Sequence, residues 1–228
     1  MDSVVNLTVR VKYRRYQIFY ILFYCLKRKT YSEEELIRDC KRQLVERLEK
    51  EKKKMNRKEI YLAGGCYWGV EKYVSNIKGV VETRVGFANG NIEHPTYKQV
   101  RYENTGHAEA VKVIYDADKL SLAVLLRLFY EIIDPTSVDK QGEDEGHQYR
   151  TGIYFTEQED EQVISNSLQE LEQRIGQPLT IEACPLEHFY DAEEYHQKYL
   201  DKNPSGYCHV PISKINWVKE IEPMAFEK

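Results

Sequence analysis

A cysteine at a predicted strand-to-helix turn is the first residue whose type and position suit chemistry. Cys66 follows Gly64 and Gly65 and precedes a segment with helical periodicity. The unpaired N–H groups and positive dipole end of a helix N-terminus stabilise a thiolate, so this position predicts a lowered thiol pKa and a nucleophile. Tyr67 and Trp68 place two aromatic side chains beside the sulfur. A packed structural cysteine is the competing interpretation.

A glutamate in an apolar strand is the second such residue. Alternation along residues 107–115 places Glu109 on one strand face with Val111, Val113 and Tyr115. Burial disfavours the charged form of a carboxyl group, so Glu109 is expected to keep its proton near neutral pH, as a general acid requires. A glutamate at the solvent-exposed end of the strand is the alternative.

A polar segment over residues 134–151 separates an apolar helix pattern from a short strand pattern, and it contains Asp144 and Tyr149. Loops held by a rigid scaffold often carry functional residues, although a solvated acidic loop has the same composition. The six histidines show no H-x-x-x-H spacing, and the sequence has no C-x-x-C pair. The sequence therefore predicts no metal site.

The elements that must position these residues follow the order β-α-β-β-α-β. This order predicts an α+β fold, a ferredoxin-like two-layer sandwich with helices on one face of an antiparallel sheet. Residues 180–210 are expected to be an appendage to it. The predicted strands cover residues 60–63, 80–87, 108–115 and 152–155, and the predicted helices cover residues 67–78, 120–133 and 157–175.

The N-terminal part of the chain differs from the rest in charge. Residues 1–60 carry a net charge of +8 and residues 61–228 carry −12, although the chain of 228 residues sums to −4. We predict three regions: a basic N-terminal extension over 1–58 with a strand, an aromatic segment and an amphipathic helix, a catalytic domain over 59–210, and an irregular C-terminal tail over 211–228. A basic extension is usually solvated, and contact with nucleic acid or an anionic membrane is the alternative.

Composition excludes several classes of protein. With 42% hydrophobic and 31% charged residues, the chain is neither collagenous nor disordered nor a multi-span membrane protein. Its longest apolar run, nine residues from Ile18 to Leu26, is half of the ~18–20 that a membrane-spanning helix needs. Five irregularly spaced cysteines favour a reducing compartment over a secreted disulfide scaffold, and we predict a cytoplasmic location.

Four motifs, in order along the chain, resemble the A-type peptide methionine sulfoxide reductase family. The resemblance runs from Glu59 to Val210 and implies an α/β sandwich of the ferredoxin-like kind. It also implies reduction of the S epimer of methionine sulfoxide, free or in proteins, as repair of oxidative damage. The motifs are Gly-Cys-Tyr-Trp-Gly at 65–69, Thr-Gly-His-Ala-Glu at 105–109, Gln-Gly-x-Asp-x-Gly-x-Gln-Tyr-Arg at 141–150 and Ala-Glu-x-Tyr-His-Gln at 192–197.

The resemblance implies a role for each matching residue of the predicted site. Cys66 is expected to attack the sulfoxide sulfur, and Glu109 to protonate the oxygen, which leaves as water. Tyr97 and Tyr149 match the tyrosines that hydrogen-bond this oxygen, in the manner of an oxyanion hole. Asp144 matches an acidic residue that helps to organise the site.

The resemblance also implies a substrate wall and a recycling route. Tyr67 and Trp68 match the aromatic wall that receives the S-methyl group. A second thiol condenses with the Cys66 sulfenic acid, and Cys208 stands where many members keep this resolving cysteine. Thioredoxin, or dithiothreitol in vitro, is expected to reopen the disulfide, and no bound cofactor is implied. The other cysteines are expected to be packed: Cys25, Cys40 and Cys184.

The chain departs from the family pattern without losing a catalytic group. Tyr67 stands where Phe is common, which adds a hydroxyl that needs a partner or water, and Asn89 stands where Gly is usual. The competing function is a non-catalytic thiol redox sensor or adaptor that binds a partner through the basic extension. A sensor needs no proton donor aimed at a leaving oxygen, so the set of Tyr97, Glu109 and Tyr149 argues against it.

Overall fold

The computed structural model describes residues 37–39, 41–43, 45–46, 49–50 and 56–226. The described residues between 37 and 50 are helical, where the amphipathic helix is predicted. The predicted start of that helix, the N-terminal strand and the aromatic segment lie outside the described residues. The chain divides into two compact units, residues 1–54 and 55–228, and the fold that follows is that of the second unit.

A six-stranded sheet forms the centre of this unit. Its strands are β1 (Arg57–Ala63), β2 (Val80–Ala88), β3 (Ala108–Asp116), β6 (Gly152–Phe155), β7 (Glu182–Pro185) and β8 (Phe189–Asp191), and a separate hairpin contains β4 (Lys140–Gln141) and β5 (Asp144–Glu145). The order across the sheet is β7-β6-β1-β3-β2-β8. The four inner strands are antiparallel to one another, in the ferredoxin-like order, and the edge strand β7 pairs parallel with β6. The predicted α+β class is therefore confirmed.

The helices of this unit differ in length from the predicted ones mainly at their C-terminal ends. They are α1 (Tyr67–Val74), α2 (Tyr97–Tyr102), α3 (Leu122–Phe129), α4 (Gln158–Ile175), α5 (Tyr199–Lys202) and α6 (Ile212–Glu220), with 3-10 turns at Tyr130–Ile132, His147–Tyr149 and Pro223–Phe226. The hydroxyl of Ser121 accepts a hydrogen bond from the Val124 N–H and starts α3. Gly176, with φ of +72°, ends α4 because few other residues adopt that conformation.

The main core lies between the sheet and the helices on one of its faces. In β3 the side chains of Val111, Val113 and Tyr115 are fully buried in this core. Ala108 and Ala110 point to the other face, as the predicted alternation requires. Burial of each large aliphatic side chain stabilises the fold by about 1.5–3 kcal/mol, so the strand has one register that satisfies both faces.

The opposite face of the sheet is covered by the chain that connects its two edge strands. Because β7 and β8 lie at opposite edges, the connection between them crosses the sheet. Alanines on this face leave room for Leu186 and Phe189, and the Phe189 ring lies 5.0 Å from that of Tyr61. The prediction that residues 180–210 form an appendage is therefore wrong, since they supply both edge strands. Strands of three and four residues are too short to show alternation.

The tail predicted as irregular is also different in the structure. Residues 212–220 form α6, in which Ile215 and Val218 are buried against the main core. Two apolar residues three positions apart lie on one face of a helix, but so short a stripe does not distinguish a helix from a loop in the sequence.

Candidate active site

The turn that carries Cys66 joins the end of β1 to the start of α1. Cys66 is the N-cap of the helix, and its carbonyl accepts a hydrogen bond from the Gly69 N–H at 3.1 Å. Gly65 has φ of +80°, and a Cβ there would lie 2.7 Å from the Cβ of Gln141. Its N–H donates to the Tyr149 carbonyl at 3.3 Å. The turn therefore requires glycine, and it links Cys66 to the polar segment.

The thiol of Cys66 does not have the lowered pKa that its place at a helix N-terminus predicts. The residue is 7% exposed, and burial raises the pKa of its thiol well above the ordinary value. The negative charges of Glu109 and Asp144 act in the same direction, while the Trp68 and Gly69 N–H groups oppose them. The prediction is wrong because the cost of burying a thiolate exceeds the stabilisation from the helix terminus.

The carboxyl group of Glu109 lies next to this turn. Its Oε2 accepts a hydrogen bond from the Tyr67 N–H at 3.1 Å, and the residue is 2% exposed. Burial raises the pKa of Glu109 to about 8, against the opposing effect of that N–H group. The charge of Asp144 also raises the pKa and that of Arg101 lowers it. The prediction of a buried carboxyl with a raised pKa is confirmed.

Tyr97 lies at the first position of α2 and is half-buried. Thr96 caps this helix in a capping box with Gln99, and the Tyr97 N–H donates to the Oε1 of Glu193 at 3.1 Å. Burial raises the pKa of Tyr97 to about 12, and the charge of Glu109 adds to this effect. The hydroxyl therefore stays protonated near neutral pH and is available as a donor.

Tyr149 ends the 3-10 turn of the polar segment and is 4% exposed. Burial raises the pKa of Tyr149, and the charges of Glu109 and the Cys66 thiolate raise it further. Its hydroxyl accepts a hydrogen bond from Nη1 of Arg101. The structure therefore brings both predicted tyrosines close enough to Cys66 and Glu109 for their charges to interact.

Two aromatic residues after Cys66 form part of a larger ring cluster. Tyr67 is buried, and its hydroxyl has no hydrogen-bond partner among the described residues. Trp68 is half-buried and stacks on Tyr199 with ring centroids 3.8 Å apart. The indole Nε1 donates to Nδ1 of His196 at 3.2 Å. This bond requires an unprotonated Nδ1, which fits the lowered pKa that burial gives His196.

Asp144 contacts the residues on either side of Cys208, which are Tyr207 and His209. The Tyr207 hydroxyl donates to the Asp144 carboxylate at 3.0 Å, and Nδ1 of His209 lies 3.7 Å from the same oxygen. The His209 ring packs so closely on Gly69 that a Cβ there would lie 2.9 Å from it. The segment that carries Cys208 therefore packs against the turn that carries Cys66.

The structure describes three cysteines, and all three are free thiols: Cys66, Cys184 and Cys208. Cys208 packs on the main core and donates to the Val210 carbonyl at 3.3 Å. Cys184 instead lies with the residues of the opposite sheet face, where the Asn89 side-chain amide contacts its sulfur at 3.6 Å. The sheet thus separates Cys184 from Cys66.

The sequence did not single out three residues that contact the predicted site. His196 is in the fourth motif and Tyr199 follows it, so their aromatic character was an available signal. Arg101 lies in no motif, and only the fold brings it to Tyr149.

Over the described part of the chain, no three His, Cys, Asp or Glu residues are placed to hold a metal ion. None of the helices described there has the length and apolar character needed to span a membrane.

Comparisons with known proteins show which family this chain is similar to. A family model described as peptide methionine sulfoxide reductase matches residues 58–224. The chain is 60% identical to the peptide methionine sulfoxide reductase MsrA of Lachnoclostridium phytofermentans, over 67% of this chain and 92% of the relative. It is 53% identical to the MsrA of Clostridium acetobutylicum, over 68% of this chain and 95% of that one.

Two solved structures are also similar to this chain. Reduced Mxr1 from Saccharomyces cerevisiae has 38% sequence identity and a TM-score of 0.64, with 68% of this chain and 90% of the other covered. Methionine sulfoxide reductase A of Corynebacterium diphtheriae has 38% identity and a TM-score of 0.62, with 67% and 78% covered. The chain belongs to the A-type peptide methionine sulfoxide reductase family, as its four motifs predict.

Proposed function

We propose that the protein reduces the S epimer of methionine sulfoxide, free or in proteins, and so repairs oxidised methionine. The observation that carries this proposal is the placement of a buried, protonated carboxyl group, Glu109, beside the Cys66 turn. Sulfoxide reduction needs a proton donor beside the attacking sulfur, because the oxygen must be protonated as its bond to sulfur breaks.

The first stage of the reaction reduces the sulfoxide and oxidises Cys66. The Cys66 sulfur attacks the sulfoxide sulfur and forms an S–S bond, while the S–O bond breaks and the oxygen leaves as water with the proton of Glu109 and the thiol proton. Water then attacks the Cys66 sulfur, and the S–S bond electrons return to the methionine sulfur. The products are methionine and a sulfenic acid on Cys66, and the proton that this water releases restores Glu109. Tyr97 and Tyr149 donate hydrogen bonds to the oxygen as its charge develops, and Asp144 holds the surrounding segment. Tyr67 and Trp68 enclose the S-methyl group.

The raised pKa of the Cys66 thiol argues against a redox sensor. Sensor cysteines react with peroxide because they are thiolates with a low pKa and are open to solvent. Cys66 is buried and protonated at rest, so its thiolate is expected to form only when substrate fills the site. The sensor alternative therefore has no support from the site.

The second step regenerates the enzyme through Cys208. Its thiol attacks the sulfur of the Cys66 sulfenic acid, which forms the disulfide and releases water. The packing of the Cys208 segment against the Cys66 turn supports this pairing. We propose thioredoxin as the dithiol that then reduces the disulfide and becomes oxidised itself, with dithiothreitol as its substitute in vitro.

The domain boundaries and the location of the protein are part of the same proposal. Residues 59–210 supply all the proposed site residues, while residues 1–58 supply none and are taken as a solvated basic extension. The family model extends beyond residue 210, so α6 is better included in the catalytic domain. A mechanism that cycles free thiols suits a reducing compartment, and we propose the cytoplasm.

The test of this function is the loss of activity in Cys66→Ser. With dithiothreitol as reductant, the variant should form no methionine from the S sulfoxide, because serine cannot form the sulfenic acid. Cys184→Ser is the matched control and should keep the activity of the parent protein. Activity retained in Cys66→Ser would overturn the proposal.

A further inference from the structure

Arg101 brings a positive charge to the proposed site from outside every recognised motif. It lies in the last turn of α2, four residues after Tyr97. Its Nη1 donates a hydrogen bond to the Tyr149 hydroxyl, and its guanidinium carbon lies 5.5 Å from the centroid of the Tyr149 ring. The arginine is otherwise exposed, so its contact with Tyr149 is made by the end of the side chain.

The direction of this hydrogen bond restricts the orientation of the Tyr149 O–H group. A guanidinium group has only donors, so the tyrosine oxygen must be the acceptor. The tyrosine proton therefore has to point away from Arg101. Among the residues that the structure describes, no acceptor is bonded to that proton. The arrangement leaves the Tyr149 O–H free to donate to an oxygen that enters the site.

The charge of Arg101 also acts on the other members of the site. It lowers the pKa of Glu109, Tyr97 and Tyr149, each of which burial raises. A hydroxyl that accepts a charge-assisted hydrogen bond becomes a stronger donor in turn, because hydrogen bonds in a chain polarise one another. The same contact that orients Tyr149 therefore strengthens its donation.

We propose that Arg101 is a positioning residue for sulfoxide reduction, which holds the Tyr149 hydroxyl by its oxygen so that the proton is directed at the sulfoxide oxygen. This inference rests on the proposed function, in which Tyr149 donates to that oxygen. Arg101 itself need not touch the substrate, since it acts through Tyr149.

A double-mutant cycle in the full-length reduced protein tests this inference. The four proteins are the parent, Arg101→Met, Tyr149→Phe and the double variant, and the measurement is the rate of a single turnover over a range of S-sulfoxide concentrations. Loss of one hydrogen bond to a developing charge is expected to slow the maximal rate about tenfold in each single variant. If Arg101 acts through Tyr149, the double variant should be no slower than Tyr149→Phe alone.

The concentration dependence distinguishes positioning from simple substrate binding. The substrate concentration for half-maximal rate should change by less than about twofold, because the bond strengthens as charge develops on the oxygen. Lys98→Met is the matched control, since Lys98 is an exposed cation on the same helix, and it should react at the parent rate. Arg101→Ala, measured in the same cycle, should give the same result as Arg101→Met. Agreement of the two variants excludes an effect of the methionine side chain itself.

The outcomes separate this inference from the function on which it rests. A parent-like rate in Tyr149→Phe would remove Tyr149 from the reaction and overturn the role proposed for it. A slow Tyr149→Phe with a parent-like Arg101→Met would overturn the inference alone. Losses that multiply in the double variant would also overturn it, because Arg101 would then act independently of Tyr149.

Discussion

At the scale of single residues, the proposed site contains two acidic groups, the Cys66 thiol and the Glu109 carboxyl, and both keep their protons at rest. Burial raises the pKa of Cys66 and of Glu109, and the charge of Glu109 raises the pKa of Cys66 further. Only one of the two can readily be charged at a time. Removal of the thiol proton is therefore compatible with a protonated Glu109, which is the combination that the first chemical step requires.

Replacement of Glu109 by Gln tests its role as the acid. The amide keeps the shape of the side chain but cannot give up a proton, so the single-turnover rate should fall by roughly 10²–10⁴-fold. Glu103→Gln is the matched control, since Glu103 is exposed just after α2, and it should retain the parent rate. A rate for Glu109→Gln within a few-fold of the parent would remove Glu109 from the mechanism.

The pKa of Glu109 predicts the alkaline side of the pH–rate profile. Because the acid must be protonated, the single-turnover rate should fall as pH rises through about 8, the value to which burial raises its pKa. The Tyr67 N–H, Asp144 and Arg101 act on this carboxyl, and its own charge raises the pKa of three groups around it: Cys66, Tyr97 and Tyr149. The rate of the Glu109→Gln variant should not fall in this way. An unchanged fall of its rate at alkaline pH would show that another group titrates there.

The same shift predicts how stability varies with pH. Between the ordinary carboxyl pKa of 4.5 and about 8, the folded state keeps the Glu109 proton that the unfolded state loses. The unfolded state then binds fewer protons, so this group lowers the free energy of unfolding as pH rises. Glu109→Gln should remove that component, which denaturant titrations at pH 5 and pH 8 would measure; an equal dependence in both proteins would contradict it.

Sequence reasoning succeeded at this scale where a local pattern carried the information. Glu109 could be predicted because strand alternation puts it on one face with Val111 and Val113. The pKa of Cys66 could not, because it depends on burial by parts of the chain far away in sequence. Arg101 could not be found for the same reason, since its contact with Tyr149 joins residues 48 positions apart.

At the scale of elements, the glycine turn before α1 sets the position of the thiol. Gly65→Ala would combine two costs: a left-handed backbone and a Cβ only 2.7 Å from Gln141. Gly176→Ala is the matched control, since Gly176 has φ of +72° but no atom near the added Cβ. The control should lose about 1–2 kcal/mol of stability, and Gly65→Ala should lose more.

Thermal or denaturant unfolding of both variants, with their single-turnover rates, gives the comparison. Gly65→Ala should also be slow, because relief of the clash moves Cys66 away from Glu109. The control should reduce the sulfoxide at the parent rate. Equal losses of stability in the two variants would show that the Gln141 side chain moves to accommodate the added Cβ. Contact between residue 65 and Gln141 would then not determine the conformation of the turn.

Long elements with a strong pattern were predictable, and short ones were not. The inner strands and α4 carry enough alternation or helical periodicity to be recognised within a few residues. Strands β7 and β8 were missed because they are only four and three residues long and none of these residues is fully buried, and helix α6 was missed because only Ile215 and Val218 of it are buried. Their positions depend on pairing with β6 and β2 and on packing against the main core, which are contacts with distant parts of the chain.

At the scale of the whole unit, the sheet separates Cys184 from Cys66. Cys208 packs on the side of the helices and Cys184 on the opposite side. Cys208→Ser should therefore complete one turnover and then fail to cycle with thioredoxin, while Cys184→Ser should cycle normally. Product formation with time, with thioredoxin as the only reductant, measures both, and normal cycling of Cys208→Ser would contradict the proposed route.

We propose that Cys66 and Glu109 together reduce one epimer of methionine sulfoxide. The most direct measurement mixes the reduced protein, without added reductant, with equimolar pure S or R epimer of a peptide sulfoxide and counts the methionine formed. We expect close to one equivalent from the S epimer, none from the R epimer, and one Cys66–Cys208 disulfide by mass spectrometry. Equal conversion of the two epimers, or no conversion of the S epimer, would contradict it.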